Sequence, residues 1–379
     1  MKRQRAPLGE LCNLVKGTSP ISKTPPGPYP LVTTGEEHKT ADTFQFDTEA
    51  VCIPLISSTG HGHASLKRVH YQAGKFALAN LLAAATVKDR SALSVTFLAR
   101  YLTFTKDRLI VPLMTGAANM SISIARLASI PVEFPPLAKQ ERIVKLLDEA
   151  DELRKLRSHA DRRISSLIPA LFDEMIGDPI SNPKGWALGT VGDLTSFITS
   201  GSRGWAAFYS EQGARFIRVQ NLAGHRLRLD DVAHVNPPQT VESTRTRIQP
   251  DDLLLAITGN TIGLSALASG DVGEAYVNQH VAILRLNEKV APLFMACFMA
   301  LPAGGQHHIA KIQYGHTKPG ISLEQIRAIP VPVPPLPVQI DFAMRVTQIH
   351  DLETKQAASR RHLEDLFQSL LHRAFQGEL

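Results

Sequence analysis

The sequence lacks the long apolar runs and the cysteine patterns that mark membrane and secreted proteins. No apolar stretch approaches the roughly 20 residues that a membrane helix needs, and no apolar core follows Met1–Pro7, so we expect no signal peptide. The three cysteines, Cys12, Cys52 and Cys297, form neither a CxxC pair nor a disulfide framework. These absences predict a soluble protein of the reducing cytoplasm, with more than one domain in its 379 residues.

Signatures of catalysis are also missing. The sequence shows no Ser-His-Asp order, no glycine-rich phosphate loop and no paired carboxylates at catalytic spacing. Asn236–Gln239 approaches the Asn/Asp-Pro-Pro-aromatic motif with which amino-methyltransferases orient a flipped base. Glutamine stands where the aromatic ring would stack, so we interpret the segment as a turn and expect no catalytic residue.

Several histidines stand close together in the sequence, but without the partners that a metal site needs. They are His61, His63, His70, His307, His308 and His316. None of these groups has a cysteine or a carboxylate at ligand spacing. We therefore expect neither a metal nor a cofactor bound to this chain.

The basic residues are unevenly distributed. Residues 1–135 hold 15 Lys and Arg against 9 Asp and Glu, whereas the remainder of the chain is balanced at 26 against 26. The whole net charge of +6 therefore belongs to the first third of the chain. Such a basic segment suits a polyanion such as DNA, although a charge of this size is also common in proteins that bind no nucleic acid.

The chain repeats itself at an offset of 199 residues. The segment Ile130–Gln140 returns as Ile329–Gln339, and both copies contain Pro-Pro-Leu and end in glutamine. At the same offset Gly116 matches Gly315. We interpret the chain as the duplication of a unit that consists of a globular domain, a strand-like Ile-Pro-Val segment, Pro-Pro-Leu and a helix.

A long helical pattern follows each Pro-Pro-Leu. Between Leu137 and Ile176 there is no glycine, and Pro169 predicts a kink or break in a helix of about 60 Å. Apolar residues at spacings of three and four predict a coiled-coil seam in both copies, and the simplest partner of each stripe is the other one. The expected seam residues are Ile143, Leu146, Ala150, Leu153, Ile164, Leu167 and Leu171 in the first copy, and Val346, Ile349, Leu363, Phe367 and Leu370 in the second.

The sequence patterns of the globular segments predict a mixed α/β (α+β) fold. Residues 214–219, 252–257 and 281–286 predict strands of the second domain. In the first domain, residues 50–56 and 77–86 are apolar runs that suit either strands or a buried helix.

This order of parts resembles the specificity subunit of type I restriction-modification systems. The resemblance rests on the motifs Pro135–Gln140 and Pro334–Gln339, together with the segments Gly116–Ser123 and Gly315–Leu323. It covers nearly the whole chain. Where the family usually has glutamate before the glutamine, this chain has Lys139 and Val338.

The resemblance implies two similar target-recognition domains, separated by two long helices that pack as an antiparallel coiled coil. On this basis the expected domains are residues 1–135 and 178–335, and the expected spacer helices are residues 136–177 and 336–379. Each domain would read one half of a split site in double-stranded DNA, and the helices would bind methyltransferase subunits. Methyl transfer from S-adenosylmethionine would take place on the methyltransferase partner. A restriction nuclease subunit is a further candidate partner, and we expect no membrane association.

Side chains suited to base edges give candidate DNA contacts, since Arg and Lys match guanine and Asn and Gln match adenine. The candidates are Thr33, Thr34, Lys67, Arg68 and Lys75 in the first domain, and Arg203, Arg218, Gln220, Asn221, Asn260 and Lys318 in the second. Each of them taken singly is more typical of a solvated surface charge or a turn than of a DNA contact, but we expect some true contacts among the group.

Two other functions stay open at this point. A self-contained DNA methyltransferase is motivated by Asn236–Pro238. A helical scaffold that binds only proteins is motivated by the two seams and the modest net charge.

Overall fold

The computed structural model describes residues 3–59, 63–117, 119–270, 272–313 and 319–376. The chain divides into two compact units. Unit 1 consists of Met1–Arg157 and Ala358–Leu379, and unit 2 consists of Ser158–Ala357. Both ends of the chain therefore contribute to unit 1.

Unit 1 is built from two small sheets, an additional strand pair and the helices that cover them. Its strands are β1 (Gln4–Pro7), β2 (Cys12–Lys16), β3 (Tyr29–Val32), β4 (Lys39–Ala41), β5 (Phe46–Asp47), β6 (Ala50–Pro54), β7 (His70–Gln72), β8 (Lys75–Leu78), β9 (Leu82–Val87) and β10 (Pro131–Phe134). Its helices are α1 (Leu8–Leu11), α2 (Val95–Leu109), α3 (Ile124–Ala128) and the greater part of α4 (Leu137–Ser165).

Unit 2 has the same kinds of parts. Its strands are β11 (Ala187–Thr190), β12 (Thr195–Ser200), β13 (Tyr209–Ser210), β14 (Ala214–Ile217), β15 (Leu222–Ala223), β16 (Arg226–Leu227), β17 (Ala233–Val235), β18 (Leu253–Ala256), β19 (Ser265–Leu267), β20 (Ala275–Val277), β21 (Val281–Leu286) and β22 (Pro330–Val333). Its helices are α5 (Leu167–Met175), α6 (Val241–Thr246), α7 (Pro292–Ala300), α8 (Gly305–Ile312), α9 (Leu323–Arg327) and the first half of α10 (Leu336–Gln376).

The two units share one topology. A sheet in the order β2-β9-β6-β7 in unit 1 corresponds to the strands β12-β21-β18-β19 of unit 2. Each unit also pairs two strands in parallel, β3 with β8 and β14 with β20, inside a second and otherwise antiparallel sheet. A short antiparallel pair, β1 with β10 or β11 with β22, lies directly before each long helix. The duplication predicted from the sequence repeat is therefore confirmed.

The strand predictions hold with small changes of length. Residues 281–286 form β21 as expected, and residues 50–56 contain the strand β6 rather than a buried helix. The run 77–86 is divided between β8 and β9, because the chain turns at residues 79–81 between them. The predicted strands 214–219 and 252–257 shorten to β14 and β18.

The repeated Ile-Ser dipeptide begins a short helix in each unit. The Ser123 hydroxyl accepts a hydrogen bond from Arg126 N at 3.3 Å, and the Ser322 hydroxyl accepts one from Gln325 N at 3.2 Å. A serine that satisfies a free N–H in this way is a preferred N-cap. The repeat at these positions therefore encodes the starts of α3 and α9.

The glutamine that ends each repeated motif fastens the start of a long helix to the domain before it. Gln140 is fully buried; its Oε1 accepts from Ser94 N at 2.9 Å, and its Nε2 donates to the carbonyls of Ala92 and Pro135, both at 2.8 Å. Ser94 is the N-cap of α2. The side chain thus joins the starts of α2 and α4.

Gln339 repeats this arrangement in unit 2. It is also fully buried; its Oε1 accepts from Ala291 N at 2.9 Å, and its Nε2 donates to Pro334 O at 2.8 Å and Lys289 O at 3.4 Å. Ala291 is the N-cap of α7. One residue type at two equivalent positions therefore makes the same set of buried hydrogen bonds.

The break predicted at Pro169 is present. Helix α4 ends at Ser165 and α5 begins at Leu167, so proline occupies the third position of the new helix. Proline lacks an N–H and its ring collides with the carbonyl four residues earlier, which ends the preceding helix there. Helix α10 contains proline only in its first turn, at Pro337, and runs without a break to Gln376.

The two long helices pack together in both units and run antiparallel. In unit 1 the core contains Ile143 and Leu147 from α4 with Phe367 from α10, and Arg154 pairs with Glu364 at 2.8 Å. In unit 2 the ring of Phe172 on α5 lies 5.5 Å from that of Phe342, near the start of α10. The predicted antiparallel pair of long helices is thus confirmed.

The buried stripe of the first helix differs in register from the expected seam. Leu153 is 50% exposed and Leu167 is 41% exposed, so neither lies in the seam. The stripe passes instead through their neighbours, the half-buried Arg154 and the buried Ile168. Arg154 is accommodated because its guanidinium lies 4.3 Å from the Phe367 ring as well as beside Glu364.

The other expected seam residues are covered to different degrees. Ile143, Val346 and Phe367 are buried. The half-buried ones are Leu146, Ala150, Ile164, Leu171, Ile349, Leu363 and Leu370.

A search of the helices in the described residues finds none with the length and hydropathy of a membrane-spanning segment.

Candidate nucleic-acid interface

Strand ends of unit 2 collect at one edge of its larger sheet. Antiparallel pairing sets Ser200, at the end of β12, opposite Ala282, near the start of β21. It also sets Ala256, at the end of β18, opposite Val281. The loops that follow β12 and β18 and the loop that precedes β21 therefore meet.

The parallel strand pair of unit 2 ends at the same edge. Asn278 N, just after β20, donates to Ile217 O, the last residue of β14, at 3.3 Å. Asn278 also forms a bridge with Ser202 in the loop after β12. We call the joined loops the unit 2 strand-end edge; it comprises residues 201–204, 218–221, 257–261 and 278–280.

Three of the predicted DNA contacts are exposed on this edge. Arg203 lies in the loop after β12, Gln220 follows β14, and Asn260 lies in the turn after β18. The turn that carries Asn260 is fixed by Gly259 N, which donates to Pro319 O at 2.9 Å. Their side chains extend into solvent from anchored backbone, which suits contact with a partner.

Arg218 and Asn221 have different surroundings. Asn221 is buried; its Oδ1 accepts from Arg218 N at 3.0 Å, and its Nδ2 donates to the carbonyls of Arg228 and Asp231 at 3.1 and 2.9 Å. Its amide therefore shapes the loop instead of reaching the surface. Arg218 is half-buried, and its Nε has no hydrogen-bond partner among the described residues. Lys318 lies outside the residues that the structure describes.

The edge contains polar residues that the sequence reading missed. Asn278, Gln279 and His280 link β20 to β21, and the His280 ring is hydrogen-bonded to the Thr258 hydroxyl. A polar trio between two apolar strand patterns is the signal that could have identified them. They place further amide and imidazole groups beside Asn260.

Trp205 anchors the loop that carries Arg203. The indole is buried, 5.1 Å from the Phe216 ring and 5.3 Å from the Tyr276 ring, and its Nε1 donates to the Ser202 hydroxyl at 3.1 Å. Gly204 has a φ of +91°, a backbone conformation that favours glycine. The loop thus presents Arg203 from a fixed base, beside a cleft of about 310 Å³.

Unit 1 has the corresponding edge. Gly17 N, after β2, donates to Leu82 O at 2.9 Å, just as Gly201 N, after β12, donates to Val281 O at 3.1 Å. Ala79 N donates to the last residue of β3 at 3.0 Å. We call this the unit 1 strand-end edge; it comprises residues 17–19, 33–38, 55–59 and 79–81.

The predicted contacts of unit 1 lie partly on this edge. Thr33 is buried and its hydroxyl accepts from Gly35 N at 3.2 Å, while Thr34 is half-buried. Arg68 forms an ion pair with Glu36, which lies in the same loop as Thr33 and Thr34. The exposed Lys67 is held beside the edge, because its backbone N donates to the Ser58 hydroxyl at 3.0 Å.

Lys75 lies away from this group. It begins β8, at the opposite end of the parallel pair from Thr33, and its Nζ lies 4.9 Å from the centre of the Phe44 ring. The structure therefore brings four of the five unit 1 candidates together.

Two histidine rings lie close together at the unit 1 strand-end edge, His38 within the edge and His70 on β7. The rings of His38 and His70 are 5.0 Å apart, and each ring has one buried nitrogen without a hydrogen-bond partner among the described residues. Burial, together with nearby His38 and Arg68, lowers the pKa of His70 to about 4. His70 is therefore neutral at pH 7.

The proline-rich segment Asn236–Gln239 is a turn, as predicted. Thr240 N donates to Pro238 O at 3.0 Å, and the Thr240 hydroxyl accepts from Ser243 N at 3.2 Å to begin α6. Pro237 and Gln239 line an open cleft of about 450 Å³. Gln239 follows the prolines where the motif has an aromatic residue, so this segment does not favour a methyltransferase.

The histidine groups of the sequence are only partly described. His61 and His316 lie outside the described residues. His307 and His308 are neighbours on α8, with rings 5.4 Å apart.

Comparison with known proteins identifies the family. A family model for the type I restriction modification DNA specificity domain matches twice, over residues 4–164 and 183–359. No curated protein sequence matches the chain significantly.

Solved structures agree in fold. A type I restriction-modification S subunit from M. genitalium is 16% identical, with a TM-score of 0.62 over 99% of this chain and 96% of that one. A second solved chain comes from a study of complex assembly and conformational transition in the type I R-M system. It is also 16% identical, with a TM-score of 0.61 over 100% of this chain and 98% of that one. With two matching domains that together cover most of its length, this chain belongs to the family of type I restriction-modification DNA specificity domains.

Proposed function

We propose that each unit reads one half of a two-part DNA sequence through its strand-end edge. The supporting observation is that the two edges are built from corresponding loops but carry different side chains. Unit 1 presents Thr34 and Lys67, whereas unit 2 presents Arg203 and Asn260. Since base edges select different side chains, two unlike edges on one topology suit two different half-sites.

The positive charges on the edges also attract the phosphate backbone in this proposal. Arg203 and Lys67 are exposed at loops whose backbone is anchored. The charge excess of residues 1–135 adds a sequence-independent attraction to DNA. Binding should therefore weaken as salt concentration rises.

The chain itself is a non-catalytic reader in this proposal. Methyltransferase subunits bind S-adenosylmethionine and transfer the methyl group, and a nuclease subunit cleaves where the system includes one. The turn at Asn236–Gln239, which lacks the stacking aromatic, supports this division of labour. Because the substrate is intracellular DNA, we place the complex in the cytoplasm.

The long helices offer the surface for the methyltransferase subunits. Apolar residues remain exposed on them, including Leu153, Leu156 and Leu366, which are 50%, 57% and 51% exposed. Leu153 and Leu156 are three residues apart and so share one face of α4, and contiguous exposed apolar surface is typical of protein-binding sites. A protein partner that covers them removes this apolar area from water.

The test is DNA binding by the chain reconstituted with its methyltransferase subunits. We expect tight binding to one bipartite sequence, with an affinity that falls with salt. Arg203→Ala should weaken this binding and reduce the slope of log K against log salt by about one. The measurement is fluorescence anisotropy of labelled duplexes across a salt series.

Arg327→Ala is the matched control. Arg327 is exposed on α9, and its carbonyl accepts from Gly192 N, before the start of β12 and so at the opposite end of the sheet. We expect this variant to bind DNA like the wild type. Equal losses in both variants would contradict reading by the edge, and a complex that prefers no DNA sequence over another would contradict a role in sequence recognition.

A further inference from the structure

Three metal-capable side chains from two distant parts of the sequence meet in unit 2. They are His225, His350 and Glu353, whose nearest ligand atoms all lie within 4.8 Å of one another. The imidazole rings are nearly parallel, with centroids 4.5 Å apart and an interplanar angle of 6°. We propose that they form a binding site for a zinc-class divalent cation.

Both elements that supply the ligands have a fixed backbone. His225 lies in the turn between β15 and β16, and its carbonyl accepts from Leu267 N at 3.2 Å. His350 and Glu353 lie on α10, and residues three apart share a face of a helix. Two ligands thus come from one helix face and the third from a hairpin packed on it.

The state of the imidazoles favours a metal. The Nε2 atom of His350 is buried without a hydrogen-bond partner among the described residues. A buried polar atom with no partner destabilises the fold unless something binds it. Imidazole nitrogens are among the commonest metal ligands in proteins.

The carboxylate supplies the negative charge of the site. Glu353 lies 3.6 Å from a guanidinium nitrogen of Arg226, and both side chains are about one-third exposed, at 32% and 37%. An ion pair this long and this exposed contributes little to stability. The carboxylate can therefore exchange Arg226 for a cation.

The donor set selects the class of cation. Two histidines and one carboxylate, with a coordination position left for water, suit Zn²⁺ and related transition ions rather than Mg²⁺ or Ca²⁺, which prefer oxygen ligands. Tetrahedral zinc holds its ligands roughly 3.3 Å apart. The side chains therefore close together and the two rings turn out of their parallel stack when the ion binds.

Binding of the ion would couple the β15–β16 hairpin to α10. The same hairpin follows Asn221, whose amide shapes the loop of the unit 2 strand-end edge. A bound metal would thus restrict the motion of the loop at residues 218–221 without contacting DNA itself. This inference is independent of the proposed function, because metal content is measured without DNA.

The test uses the full chain, dialysed against Zn²⁺ and analysed for bound metal, with Co²⁺ absorption as a second probe of coordination. We expect one zinc ion per chain in the wild type. His225→Ala and His350→Ala should each weaken binding more than the roughly 10–100-fold that loss of an outer hydrogen-bond partner costs. Glu353→Gln should weaken it in the same direction, and in each variant the Co²⁺ bands of the wild type should disappear.

His362→Ala and His372→Ala are the matched controls, since both histidines are exposed on the same helix. We expect these variants to keep the zinc ion and the Co²⁺ spectrum. Circular dichroism verifies that each variant is folded. If His350→Ala unfolds, His225→Ala tests the site instead, because a substitution in a surface turn is less disruptive to the fold. A folded wild type that retains no zinc, or a folded His225→Ala that binds it like the wild type, would overturn the site.

Discussion

Gln140→Leu is expected to destabilise unit 1 although it keeps the size and burial of the side chain. The change removes hydrogen bonds from Ser94 N and to the carbonyls of Ala92 and Pro135, whose distances are 2.9, 2.8 and 2.8 Å. Leucine cannot replace any of them. Three backbone groups, all buried or partly buried, are then left without a partner.

The size of the effect follows from these three groups. Each buried backbone group left unsatisfied costs about 1–3 kcal/mol. The Ser94 and Ala92 groups are only partly buried, so the lower end of that range applies, and the loss of unfolding free energy is about 3 kcal/mol. For a unit of this size the midpoint temperature should fall by roughly 6–12 °C.

Differential scanning calorimetry of the full chain measures this shift, since separate units can unfold in separate transitions. Gln348→Leu is the control, because Gln348 is exposed on α10 and the same substitution there should change stability by less than about 0.5 kcal/mol. Gln339→Leu should reproduce the loss in unit 2. If Gln140→Leu melts within 2 °C or so of the Gln348→Leu control, the glutamine does not fasten the helix to the domain.

Three further results are expected. Gly17→Ala should lower the stability of unit 1 by about 1–3 kcal/mol in denaturant melts, because a Cβ there overlaps a backbone carbonyl, whereas Gly35→Ala should not. Phe342→Ala should cost about 3–5 kcal/mol, because the ring is fully buried, against less than about 0.5 for the exposed Met344→Ala. The folded-state pKa of His70 is about 4, below the ordinary 6.5, so between these pH values the unfolded chain binds more protons than the folded one. The stability of the fold should therefore fall as the pH is lowered from 6.5 to 4. In thermal melts across this range, His70→Gln should lose less stability than the wild type.

The duplication and the long helices could be predicted because their signals are local. The repeated Pro-Pro-Leu, the N-cap serines and Pro169 each act within a few residues of their place in the chain. The function of the repeated glutamine could not be predicted, because its partner Ser94 lies 46 residues away in sequence.

The seam register shows where apolar spacing alone misleads. Leu153 fits the spacing rule, but Arg154 occupies the seam because Glu364 and Phe367 of α10 stabilise its charge. A rule that counts only apolar residues cannot choose the arginine. The contact between His225 and α10 is likewise invisible in sequence, since tertiary packing alone brings it there.

The strand-end edges were predictable only in part. The sequence identifies Asn260 beside Gly259, where a strand pattern ends, and Arg203 in a loop between two glycines. Asn221 also follows a strand pattern, but its own loop buries it. Residue type and a strand end thus locate the edge, while the direction of each side chain depends on the fold around it.

The most direct test of the account is to replace residues 1–135 with the matching segment of another specificity subunit and to map methylated adenines across the genome of cells that carry the complete complex. The account predicts that one half of the methylated sequence changes and the other half stays the same, because each unit reads its own half. Methylation at an unchanged sequence, or new bases in both halves at once, would contradict it.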